Sequence, residues 1–591
     1  MMARGARTRP RGRKRGIVLL LLAASVVGGS VAASQLTTSA MLEPPSAQPV
    51  PMADAGTAYC PVITTGQDDT AQLEIASAST EEASEVLVTR FSEGQPRTDD
   101  PLEIEAGQSV VMDISVEQAG APIAVSWRGG PVVVQYRLTP VAAAQGGVGA
   151  GDQAVATCQT QPSDRWHLAG FDTTRGSRST LYLFNPFEQD AVVDLQFGTA
   201  EGPVELVIAG EIQVPAGAVV VQDLAELRPE TVDLAVTVRT QVGRVIPQGR
   251  VRWAPAGEGL EGVTGHALLP AVAEPSSELF VPEAVHDEVT RSWVTVYNPT
   301  DRAAAVQVRV STPLGDARSL ASELTVPAGG VARVDLADLS ALPRMGVRLQ
   351  SVNGIGLIAT RVSAVQDGDR AGVAIAVAAP STDTTWTVVG ARGPDAQLVL
   401  YNPGIEVATA RIDLAGADGS LDPVEVPPNG LTAVSLPDVE AGGAARISAD
   451  QPLVVGGVNL STEVATAFWS STGTAESALL GADQAVRAQR EPSLSSVPVR
   501  SATATPTPAP PDPVPPGEGE LDPAPSPSLV PTPTATPTPS PGSEPTAPEV
   551  QATPTPPSPT PSGDTTEPDG PAASDPATDP TATETEGSLF G

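Results

Sequence analysis

The sequence predicts an all-β chain: about four tandem immunoglobulin-like β-sandwich modules in a row, preceded by an N-terminal transmembrane or signal helix and followed by a disordered C-terminal tail. Three observations predict it. Strand-like segments recur with a period of about 110 residues. Aromatic residues make up only 3% while Val and Ala are abundant, which suits small sandwich cores. The two ends differ sharply in composition from the middle. A chain of 591 residues also exceeds the size at which one core keeps growing, so several domains are expected.

Residues 1–16 form a basic leader, expected in the cytoplasm. Arg4, Arg7, Arg9, Arg11, Arg13, Lys14 and Arg15 give it +7. The run IVLLLLAASVVGGSVAAS at 17–34 follows directly. Positive charge stays on the cytoplasmic side, so the remainder is expected outside, as the extracellular part of a single-pass cell-membrane protein. The length of the run fits either a retained membrane anchor or a signal h-region. Val31, Ala32 and Ala33 resemble a cleavage site, and cleavage would leave a secreted protein. Residues 35–55 read as a stalk.

The first sandwich, 56–160, contains AQLEIAS (71–77), LEIEAG (102–107) and PVVVQYRLT (131–139). Its ends carry the chain's two cysteines, Cys60 and Cys158. In an oxidising compartment an isolated pair is most simply a disulfide. Closing a loop of that length stabilises a domain by about 4 kcal/mol in the chain-entropy model. Lipidation of Cys60 is the poorer reading, because Tyr59 precedes it and the apolar run ends well upstream.

Three stronger copies follow, at 161–256, 257–380 (with a linker) and 381–485. Each carries an apolar/polar alternating strand closed by Asn-Pro: TLYLFNP (180–186), SWVTVYNP (292–299) and AQLVLYNP (396–403). Proline cannot donate to a ladder and Asn-Pro initiates turns, so Asn185, Asn298 and Asn402 mark strand ends. A second signature recurs about 25 to 30 residues later: QVPAG (213–217), TVPAG (325–329) and EVPPNG (425–430). About seven short strands per copy indicate the sandwich. A propeller is the structural alternative, and it would need two four-stranded blades in each period. Trp166, Trp253 and Trp386 fall at module edges and Trp293 within a strand. Burial at sandwich ends is their expected role.

Residues 486–591 read as a disordered, acidic Pro/Thr-rich tail. From Glu491 onward it holds 28 of the 61 prolines and carries −13. Too few apolar residues remain there to offset the entropy of ordering.

Charge limits the partners. With a total of −35, residues 17–490 carry −29, which repels phosphate backbones and argues against nucleic-acid binding. Chemistry is sparse. Lys14 is the only lysine, so Schiff-base and P-loop lysines are excluded from the outer part. His167, His266 and His286 form no H-E-x-x-H pair, and no G-x-S-x-G elbow or Walker loop occurs. Asp68 with Asp69, and Asp367 with Asp369, are the acidic pairs with calcium-binding potential, but neither has a regular ligand spacing and solvated turns are expected. No catalytic residue, cofactor or metal site is assigned.

The basic leader with one apolar segment, the LxLxNP and VPAG signatures in tandem, and the Lys-poor, Ala/Pro-rich background resemble a family of exported, membrane-anchored actinobacterial proteins of unknown function. The resemblance spans roughly residues 55 to 480 and implies location and build, with no activity to transfer. The expected role is a non-enzymatic cell-envelope scaffold or partner-binding ectodomain, its partner an envelope protein or cell-wall glycan and its membrane contact through residues 17–34. Two other roles fit the same features: an adhesin-like module for wall glycan or a surface protein, and an accessory subunit of an envelope glycosyltransferase.

Overall fold

The computed structural model describes residues 55–479 apart from short internal stretches, the longest being 62–68, 141–152, 254–262 and 460–467. The leader, the apolar segment 17–34, the stalk up to residue 54 and the Pro/Thr-rich tail lie outside the described residues. Among the described residues, no helix is long and apolar enough to cross a membrane. Strands dominate, and the two helices among the described residues, Leu224–Leu227 and Glu476–Leu479, are one turn each.

In four successive stretches the chain alternates between two antiparallel sheets. Sheet 1a orders Ala55–Cys60, Ile123–Gly129, Ser84–Ser92 and Gln95–Thr98. Sheet 1b orders Ser109–Ile114, Asp69–Ser77, Val132–Pro140 and Ala154–Thr157. The pattern recurs in sheet 2a (Arg165–Phe171, Leu234–Val242, Ala191–Thr199, Gly202–Glu205) and sheet 2b (Val219–Asp223, Ser177–Phe184, Ile246–Trp253, Gly265–Pro270). It recurs again in sheet 3a (Glu278–Val285, Arg344–Ser351, Ala304–Ser311, Arg318–Ser319) and sheet 3b (Val331–Asp335, Thr290–Tyr297, Ile358–Asp367, Arg370–Val377). In the fourth stretch one long strand, Ala445–Asn459, serves both sheets. Sheet 4a adds Asp383–Val388, Ala408–Leu414 and Val424–Val426, and sheet 4b adds Gly430–Ser435, Gln397–Asn402 and Trp469–Thr472.

Gly265–Pro270 lies inside the expected third domain, 257–380, yet it pairs with Ile246–Trp253 and so completes the second repeat. The first repeat, which lacks Asn-Pro, has the same strand order. There Ser79 Oγ accepts from the backbone N–H groups of Glu81 and Glu82 at 3.2 and 3.0 Å, so a serine makes the turn that asparagine makes elsewhere.

Within a repeat, the apolar sides of the two sheets enclose a core, as with Leu73, Ile75, Val86, Val125 and Leu138 in the first. The repeats then pack on one another, and each a sheet covers the next b sheet. Phe91 of sheet 1a meets Phe184 of sheet 2b edge-on, with centroids 5.1 Å apart. Asp233, which leads into sheet 2a, accepts from Thr295 and Arg333 of sheet 3b at 3.0 and 2.8 Å. Tyr401 of sheet 4b packs on Gly346 of sheet 3a and shares a 3.2 Å hydrogen bond with Ser311. Ala76 and Val133 of sheet 1b pack against Val389 and Ala444 beside sheet 4a, and this contact closes the circle.

The repeats therefore form a ring rather than the expected row. Each period supplies two sheets, as a propeller would require, but the chain crosses between the two instead of completing one before starting the next. Ring closure also changes the reading of the Asn-Pro strands. Alternation predicts one wetted face, yet Thr180, Ser292 and Thr295 are as buried as their apolar neighbours, because a second sheet covers that face.

Candidate functional site

The last strand of each repeat is the inner edge of its b sheet. Ala154–Thr157, Gly265–Pro270, Arg370–Val377 and Trp469–Thr472 pack in succession around the centre of the ring, and the fourth returns to the first. Gln153 N donates to Phe468 O at 2.9 Å across that closing junction. Just beyond these strands the chain is stitched to the first strand of its own repeat. Tyr59 pairs with Gln159, His167 with Val272, and Phe280 with Ala379; in the fourth repeat Trp386 pairs with Ala475. The correspondence gives the centre an approximate fourfold repetition.

These strands wall a cavity of about 290 Å³. Its lining is dominated by Val and Ala, with Ser and Thr next in number, and no lining residue is charged. Gln159 Nε2 donates to Ala271 O at 3.0 Å and the Thr472 hydroxyl donates to Val377 O at 2.5 Å, so the wall itself engages part of its polar complement. Trp386 lines the cavity and its indole N–H bonds to Asp383 O and Leu453 O at 3.1 and 3.2 Å.

Charged side chains are held behind this wall. Arg137 and Glu74 are both buried; Arg137 Nε donates to Glu74 Oε1 at 2.8 Å and its Nη2 donates to Gly390 O at 2.8 Å, across the first and fourth repeats. The Arg137 guanidinium also lies 5.3 Å from the Trp469 ring centroid. Glu283 and Arg361 border a smaller neighbouring cavity of about 10 Å³. Burial raises the pKa of the Glu283 carboxyl, and the charges of Arg344 and Arg361 oppose that rise. Arg344 Nε stands 2.9 Å from Glu283 Oε1, close but not aligned as a hydrogen bond. Arg361 donates to Ser363 Oγ at 3.2 Å and to Ser470 Oγ of the fourth repeat.

The residues singled out in the sequence are dispersed. Cys60 and Cys158 are joined as a disulfide, and Cys158 stands in the cavity wall. His167 is buried and its Nδ1 is 2.8 Å from Thr237 Oγ1, which in turn is 2.8 Å from the Tyr297 hydroxyl. Burial, aided by the Arg165 charge, lowers the His167 pKa to about 4. His266 Nδ1 is 3.1 Å from Arg250 Nη2, and the His286 backbone N–H donates to Pro343 O. Asp68 and Asp369 lie outside the described residues. Asp69 opens a strand opposite Pro140, and Asp367 ends one opposite Arg370. Among the described residues, no group of three or more His, Cys, Asp or Glu side chains is placed to hold a metal ion.

All six tryptophans are buried. Trp166 Nε1 donates to Val245 O at 2.9 Å and Trp253 Nε1 to Asp172 Oδ2 at 3.1 Å, so these two anchor the repeat that contains them. Glu74, Arg137, Glu283 and Arg361 were not visible in the sequence as buried groups. Nothing in the linear pattern marks them, and residues of the fourth repeat stand against both pairs.

By its fold, the chain is an all-β repeat protein of several antiparallel sheets. It belongs to the Family of unknown function (DUF5719), whose profile matches residues 116–355 and 273–522. Each match spans about two of the structural repeats, and the third repeat is shared by both. No curated protein matches the chain.

Proposed function

We propose that this protein is a non-enzymatic cell-envelope scaffold: four immunoglobulin-like sandwich repeats, exported and held outside the membrane through residues 17–34, that bind another envelope component. The carrying observation is that several buried or half-buried ionisable groups stand at the contacts between repeats. The buried Arg137–Glu74 pair reaches Gly390 of the fourth repeat, buried Arg361 reaches Ser470, and half-buried Asp233 and Arg333 pair across the second and third repeats. Such groups position sheets, whereas catalysis needs them converging on one accessible point. The strongly acidic middle of the chain and its paired cysteines support an exported, protein- or glycan-facing role.

The test is cross-linking of the full chain in intact envelopes of the source organism, with co-sedimentation on isolated cell wall in parallel. One reproducible cross-linked envelope protein is the expected result. Saturable sedimentation with wall and no protein partner would replace the scaffold by a glycan-binding adhesin. Turnover of a glycoside, ester or peptide that survives replacement of all three histidines would overturn the non-enzymatic reading.

A further inference from the structure

We infer that the axial cavity is a binding site for the alkyl chain of an uncharged amphiphile. Four observations converge on that chemistry. The cavity is the place where all four repeats meet, and at about 290 Å³ it lies near the lower end of the roughly 300–1,000 Å³ typical of ligand pockets. Although 17% of the chain is charged, no charged side chain lines it. An ion entering would lose its hydration without gaining a charged partner.

The third observation concerns the polar groups that are present. Gln159 and Thr472 already donate to carbonyls of the wall and Ser470 accepts from Arg361, while Val and Ala make up the largest part of the lining, joined by Ile375 and Leu479; the remaining groups are neutral hydroxyls. Burial of alkyl surface there is favourable at about 25 cal/mol per Å². The fourth is that the buried charges nearby are engaged behind the wall, in the Arg137–Glu74 and Arg361–Ser470 contacts. The inner strands are sheet edges, and their backbone groups at the open side suit a neutral hydroxyl or ester head. This inference is independent of where the protein resides.

Bromo-octanol titrated into the full-length protein tests it, read by tryptophan fluorescence. Saturable quenching is expected, relieved by plain octanol and lost in Trp386→Phe, which removes the indole lining the cavity. Bromo-octanoate should bind roughly tenfold or more weakly, because its carboxylate has no partner there. Val155→Phe places a ring among Trp386 and Ala379 and should abolish binding of octanol measured by calorimetry. Absent saturation, equal affinity for the carboxylate, or full octanol binding by folded Val155→Phe would each overturn the inference. If Val155→Phe does not fold, the octanol and octanoate pair on the unsubstituted chain still decides the matter.

Discussion

Asn402 donates from Nδ2 to the carbonyl of Val426 at 3.1 Å, tying the end of one strand to the strand that carries the second repeated signature. The same amide donates to Glu406 O at 2.7 Å, and its Oδ1 accepts from Gly404 N at 2.9 Å. Asn185 repeats the arrangement with Val214, Gln189 and Phe187, and Asn298 with Val326, Arg302 and Thr300. The two signatures recur together because one hydrogen-bonds the other. Asn402→Asp keeps the size but removes both donations and leaves the buried Val426 carbonyl and the outer Glu406 carbonyl without them. A loss of about 2–4 kcal/mol is expected in denaturant unfolding, and a loss below 0.5 kcal/mol, about the scale of surface substitutions, would show that water replaces the amide.

This relationship marks how far the sequence could be read. The signatures, their period and the disulfide depend on local turn chemistry and spacing, which a linear pattern records. Ring closure depends on Arg137, Glu74 and Gly390, two of them more than 250 residues from the third, and each looks ordinary on its own strand. Phe184, Tyr297 and Tyr401 show the same limit. Tyr297 and Tyr401 directly precede the asparagine of the motif, where the second repeat has Phe184; all are buried, yet only the preceding repeat determines whether each meets Thr237, Ser311 or Phe91.

The buried Arg137–Glu74 pair should be sensitive to removal of either partner alone. Arg137→Met or Glu74→Leu leaves the other charge buried and is expected to cost about 3–5 kcal/mol, while the two combined cost less than the sum. Gly390 has φ +72° and its added Cβ would collide with both partners, so Gly390→Ala should destabilise as strongly as a single charge removal. Thermal unfolding of the four variants checks this. Simple additivity of the two charge replacements would refute a coupled clasp.

His167 predicts a pH dependence of stability. Its imidazole stays neutral in the folded state down to about pH 4, whereas the unfolded chain binds a proton near pH 6.5. The unfolded state therefore gains protons first as pH falls, and this group's contribution is lost between pH 6.5 and 4, then remains level. The gap corresponds to about 3 kcal/mol. His167→Asn retains a hydrogen-bonding group toward Thr237 and cannot titrate. Its stability relative to wild type should rise by about that amount from pH 7 to 4. Glu283, shifted upward by burial, acts in the opposite sense but cancels in the comparison. A pH-independent difference would contradict neutral burial of His167.

The disulfide joins residues 98 apart in sequence, so its main effect is to restrict the unfolded chain. Reduction, or Cys60→Ala with Cys158→Ala, should lower stability by about 4 kcal/mol and act first on the cavity wall next to Gln159. Peptide mapping without reductant should recover one linked pair. Hydrogen exchange should then show faster opening of 55–60 and 154–160 after reduction. Unchanged exchange there would mean that the neighbouring repeats hold the wall without the covalent link.

A ring and a row respond differently to loss of one repeat. Truncation after residue 380 removes Val389, Ala444 and Tyr401, and so uncovers Ala76 and Val133 on the first repeat and Gly346 on the third. Two apolar faces at opposite ends of the remaining chain are exposed together, whereas a row would lose only one. The intact chain should unfold in one cooperative transition, because every repeat has two neighbours. The truncated chain should unfold at lower denaturant, lose cooperativity and self-associate through the uncovered sheets. Wild-type stability in a monomeric truncated chain would show that the repeats fold as independent units and that the closing contact contributes little.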